Sequence, residues 1–133
     1  MDRFEIWSEI LATAEEDYYE LSSEERMIYG LKSILDAVNG SGLIAYYEGN
    51  AAAHAEDAVE DLYSLGLDDI AAVIESANAM FPAGLPPEDI DERIGCIYDW
   101  EGEYDDLFEE WTDEILEFAS MLEGEIERLF ETE

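Results

Sequence analysis

The sequence predicts an all-α fold: a single compact domain, residues 1–133, of about six to seven helices with a long acidic C-terminal helix. Apolar residues recur at steps of three and four almost throughout, and no segment shows the sustained alternation of a strand. Turn residues cut the periodic stretches at Asn39-Gly40-Ser41-Gly42, Gly49-Asn50, Gly66 and Pro82, Pro86 and Pro87. The chain is 48% hydrophobic and 12% aromatic, which separates it from acidic disordered chains and supplies a core at a common domain size.

In order along the chain, Phe4, Trp7, Leu11, Ala14, Tyr18 and Leu21 step by three and four and predict a first helix with one buried stripe. Ser22 and Glu25 match a capping box, so a second helix starts near Ser23, turns Met27, Leu31, Ile34, Leu35 and Val38 inward, and ends at Gly40. The apolar-aromatic piece Leu43-Ile44-Ala45-Tyr46-Tyr47 predicts a short tucked helix. A further helix runs over about residues 51–65 and stops at Gly66, and Asp68 is placed to cap the next one, to about Met80. The adjacent Pro86 and Pro87 suit a helix start, with Glu88, Asp89 and Asp91 favourable against the dipole of its first turn, and that helix reaches about Trp100. Phe108, Trp111, Ile115, Phe118, Leu122, Ile126 and Leu129 then give one uninterrupted apolar face to a terminal helix, the longest expected.

Charge is the strongest functional signal. Thirty-seven acids face five cations, a formal net charge of -32. Arg3, Arg26, Lys32, Arg93 and Arg128 are too few to hold nucleic acid or an anionic membrane directly. From Asp105 to Glu131 there are eleven acids against Arg128 alone. On one straight helix of ~40 Å this is roughly one charge per 3.7 Å, close to the 3.4 Å spacing along a DNA strand. Asp105/Glu109/Asp113/Glu117, Asp106/Glu110/Glu114 and Glu123/Glu127/Glu131 form like-charged i,i+4 rows, each pair costing a few tenths of a kcal/mol where opposite charges would stabilise. Glu56/Glu60 and Asp57/Asp61 form a second ridge, expected to continue the surface on a neighbouring helix. The candidate partner-binding residues are therefore Asp105, Asp106, Glu109, Glu110, Asp113, Glu114 and Glu117, with Glu56, Asp57, Glu60 and Asp61.

Catalytic and metal chemistry find no support. His54 is the sole histidine, and its sequence neighbours Ala51, Ala52, Ala53 and Ala55 offer it no partner, so neither a triad nor a pair of Glu-x-x-His units can be assembled. No glycine-rich phosphate loop or EF-hand loop is present. The expected catalytic residues, metal ligands and cofactors are none. Cys96 has no second cysteine to pair with and reads as a core residue in a reducing, cytoplasmic compartment. The acidic N-terminus lacks the pattern of a signal peptide, and no stretch is apolar enough to span a membrane.

The block Glu24-Glu25-Arg26-Met27-Ile28-Tyr29-Gly30-Leu31, the turn Val38-Asn39-Gly40-Ser41-Gly42 running into Leu43-Ile44-Ala45-Tyr46-Tyr47, the helix to Leu65-Gly66, Phe81-Pro82 and the acid-rich end together resemble the bacterial DNA-mimic protein (DMP) family of small acidic helical proteins. The family commonly has a second glycine where this chain has Ser41, with Gly42 one place later. The resemblance covers about residues 20–130. It implies a compact helical protein whose acidic face imitates the phosphates of duplex DNA and occupies the DNA site of a transcription factor, nucleoid protein or nuclease, with a possible homodimer to lengthen that face. Two other readings of the charge stay open at this point. One is an acidic immunity or antitoxin-like protein that neutralises a basic toxin or nuclease; the other is adaptation to high salt.

Overall fold

The computed structural model describes residues 2–133, and among them every regular element is helical. The order is α1 (Arg3–Asp17), a 3₁₀ turn (Tyr18–Glu20), α2 (Ser23–Asn39), α3 (Leu43–Tyr47), a second 3₁₀ turn (Asn50–His54), α4 (Ala55–Ser64), α5 (Asp68–Asn78), α6 (Ile90–Asp99), α7 (Asp105–Glu117) and α8 (Ala119–Glu131). Helix α2 is the hub, with α1, α3, α4, α7 and α8 all packed against it. Its start is the expected capping box: the Glu25 N–H donates to Ser22 Oγ and the Ser22 N–H to Glu25 Oε1, at 3.1 and 2.8 Å. Ile28, Tyr29, Leu31, Ile34, Leu35 and Val38 are its buried residues, while Met27 is only partly buried.

The turn after α2 explains why a serine is accepted within it. Gly40 caps the helix, and the demanding backbone falls on Gly42, at φ 112°. Ser41 therefore needs no left-handed conformation, whereas a side chain at position 42 would be strained. The Leu43 N–H beyond the turn donates to Thr112 Oγ1 of α7 at 2.9 Å, and that hydroxyl donates to the Phe108 carbonyl at 2.8 Å. The turn thus docks the acid-rich helix onto the core.

Several expectations are corrected. The terminal helix is two helices of 13 residues each, and α2 with 17 residues is the longest. At Phe118 (φ -108°, ψ 12°) the ladder breaks, and the Phe118 N–H reaches the Ile115 carbonyl instead of the residue four back. No glycine or proline marks the break, and the apolar spacing of Ile115, Leu122, Ile126 and Leu129 runs straight through it. What separates the halves is packing: α7 seats against α2, α3 and α5, while α8 lies along α2. The chain therefore holds eight α-helices among its described residues rather than six or seven.

In α1 the buried residues are Ile6 and Ile10, with Phe4 78% and Leu11 42% exposed. Helix α1 packs chiefly against α2, with Arg3 reaching Glu127 of α8, so its buried stripe is narrow and its flanks remain open. Asp68 begins α5 without capping it, and α6 starts at Ile90 under Asp89, whose side chain accepts the Glu92 N–H at 3.0 Å, rather than at the prolines. Cys96 is half-buried at the edge of the core, in a groove with Pro82, Leu85 and Pro86, rather than enclosed within it.

Arg93 is wholly buried. Its Nε donates to the Tyr47 carbonyl and its Nη1 to the Pro87 and Glu88 carbonyls, at 2.8, 2.8 and 3.1 Å, while Nη2 reaches the Gly49 carbonyl. One cation thus satisfies backbone acceptors from the end of α3 and from the proline loop, which secures α6. Nearby, the Tyr47 hydroxyl donates to Asn78 Oδ1 at 2.8 Å, linking α3 to α5.

Candidate partner-binding face

Helix α7 carries Asp105, Asp106, Glu109, Glu110, Asp113, Glu114 and Glu117, all exposed. At ~100° per residue these seven positions spread over about half of the helix circumference. Phe108 and Ile115 occupy the opposite side and are buried, and Trp111 and Phe118 are half-buried at its edge. The helix is one-sided for a simple reason: its apolar residues find α2, α3 and α5, and nothing covers the rest.

No ion pair of the described residues involves α7. Arg3 pairs with Glu127 at 3.0 Å, Lys32 with Asp36 at 3.2 Å, and Arg128 with Glu125. The Arg128 contact belongs to α8, whose acids Glu123, Glu125, Glu127 and Glu131 stand beyond the break. The expected continuous 40 Å array is thus two shorter ones, and only the α7 part is free of cations.

Helix α5 adds what the sequence reading missed. It lies against both α4 and α7, and its Asp69 lines a groove with Glu114, Glu117, Ala72, Val73, Ser76, Trp111 and Phe118. The signal that would have found Asp69 is its place in the first turn of an amphipathic helix, but only packing brings it beside α7. The α4 ridge, by contrast, does not adjoin α7 directly, because α5 stands between them.

The ridge itself divides. Glu56, Asp57 and Glu60 are exposed and Asp61 is half-buried, but Asp57 and Asp61 face a local cluster that Glu56 and Glu60 do not join. The Tyr18 ring stacks on His54 at 3.4 Å between centroids, and its hydroxyl lies 3.5 Å from Asp57 Oδ2. The Arg26 guanidinium sits 5.3 Å from the ring centroids of both Tyr18 and Tyr19. His54 therefore has a partner after all, delivered by the 3₁₀ turn after α1 and invisible from its alanine neighbours. Burial lowers the His54 pKa, against the opposing effect of Asp57 and Glu88. Burial, followed by the Asp57 and Glu60 charges, raises Asp61 to about 6, with Arg26 acting the other way.

Among the described residues no three His, Cys, Asp or Glu side chains converge to hold a metal ion. No helix is long and apolar enough to cross a membrane. A family model described as DMP19-like protein matches residues 19–132. No curated protein and no solved structure matches the chain.

Proposed function

Because the chain belongs to the DMP19-like family, we propose that it is a non-enzymatic DNA mimic, whose acidic surface occupies the DNA-binding site of a regulator or other DNA-binding protein and inhibits it. The observation that carries this reading is the α7 face. Seven exposed carboxylates follow ~20 Å of helix, roughly one per 3 Å, close to the 3.4 Å spacing of phosphates along a strand. A surface built to read phosphates meets a comparable field, and that field steers it into contact. Asp69 of α5 adds to this charge beside Glu114 and Glu117, and a two-fold assembly would extend it further. The chain itself does no chemistry in this reading and requires no cofactor.

The test is mutual exclusion. A basic DNA-binding protein captured at low salt is offered this protein and its own duplex together. Each should displace the other, and the protein complex should weaken as salt rises. A partner that holds both at once, neither reducing the other's affinity, ends the mimic reading. A toxin or nuclease blocked away from its DNA groove points to the immunity alternative.

A further inference from the structure

The groove between α5 and α7 is lined by apolar side chains as well as by carboxylates. Ala72 and Val73 of α5 and Trp111 and Phe118 of α7 supply its apolar lining, and Asp69, Glu114 and Glu117 its carboxylates, around a volume of about 390 Å³. Ser76 at its side is already committed, its hydroxyl donating to the Ala72 carbonyl at 2.9 Å. We infer that this groove is the anchor site for an arginine side chain of the basic partner, an inference that rests on the DNA-mimic reading.

All five cations of the chain are engaged elsewhere: Arg3, Lys32 and Arg128 in ion pairs, Arg26 beside Tyr18 and Tyr19, and Arg93 among carbonyls. Among the described residues, none of these cations pairs with the carboxylates of the groove, which stay open to a cation from outside. Arginine fits both parts of the groove. Its planar, weakly hydrated guanidinium can stack on the Trp111 indole and donate two parallel hydrogen bonds to a carboxylate, while its stem lies on Ala72 and Val73. A lysine ammonium keeps its hydration shell and gains only the attraction of the carboxylates. Arginine is also the side chain that DNA-reading surfaces present most often to guanine edges, so such a partner supplies it.

The test uses two capped heptapeptides, one alternating glycine with arginine and the other glycine with lysine. Each is titrated into the whole protein at low salt while the indole N–H resonances are followed by NMR, with Trp111→Phe identifying the relevant signal. The arginine peptide should move the Trp111 resonance and bind about two- to five-fold more tightly than its lysine twin, the size of an exposed cation–π contact. The double change Glu114→Gln and Glu117→Gln should abolish that preference. Glu5→Gln with Glu9→Gln, an equal loss of charge on α1, should keep it. Equal affinities with an unmoved Trp111 resonance overturn the arginine site while leaving the DNA-mimic reading intact, and absence of binding by either peptide also overturns it. The DNA-mimic reading fails on its own evidence, a partner that binds this protein and its duplex simultaneously.

Discussion

Helices α4 and α7 carry the same sequence pattern, acids repeated at i,i+4 on an otherwise apolar helix, yet the fold puts them to different uses. On α7 the carboxylates project from a helix whose only covered side is apolar, and among the described residues no cation pairs with them. On α4 two of the four, Asp57 and Asp61, are drawn against Tyr18, His54 and Arg26, and Asp61 is half-buried there. A like-charged row is available to a partner only where tertiary packing has brought nothing to it. Periodicity cannot distinguish the two cases, because both helices show acids at the same spacing.

The contrast breaks most visibly through the covered side of α7. Ile115 is fully buried, and Ile115→Ala should destabilise the protein by about 2–5 kcal/mol, read by thermal or urea unfolding. A small loss would mean that α7 is not seated on the core and that its outward face is not fixed. Trp111, half-buried, should cost less than a fully enclosed aromatic when cut to alanine.

Next in size is the cation beside α4. Arg26→Met removes the charge facing Asp61, the contacts with Tyr18 and Tyr19, and the bond from Nη2 to the Tyr19 carbonyl at 2.8 Å. A loss of about 1–3 kcal/mol is expected, with no weakening of partner binding through α7. Unchanged stability would remove the distinction between the engaged and the free row.

A smaller effect sharpens the same distinction by pH. The Asp61 pKa stands near 6 in the folded protein against 3.8 as the ordinary value, so the folded state binds the proton more readily. Its ionisation is a cost fully present above the folded pKa and relieved as pH falls through about 6 toward 3.8. Acidification from pH 7.5 to 5.5 should therefore raise Tm. Asp61→Asn should raise Tm at pH 7.5 and flatten this dependence. An identical pH profile in the variant would place the proton uptake elsewhere.

The smallest change is expected on the free row. Glu110→Gln relieves repulsion with Glu114 and should leave stability unchanged or raised by a few tenths of a kcal/mol. Replacing Glu109, Asp113 and Glu117 by their amides should likewise preserve the circular dichroism spectrum and melting while loosening the partner complex. Loss of structure in that triple variant would show the carboxylates to be structural, as they are around Asp57.

The helical class, the capping box at Ser22 and Glu25, the stop at Gly40, the inward residues of α2 and the outward acids of α7 all follow from local rules. Spacing, capping chemistry and glycine punctuation act over a few residues and can be read along the chain. The break at Phe118, the narrow stripe of Ile6 and Ile10, the burial of Arg93, the stacking of His54 on Tyr18 and the meeting of Asp69 with Glu114 and Glu117 were decided only by the tertiary structure. Each depends on which surface another helix presents, and the apolar period is the same whether a helix continues or bends, whether its neighbour brings a carbonyl, a ring or a carboxylate. The sequence alone determined that this protein is a folded, strongly anionic helical body; long-range packing determined which of its charges are left uncovered.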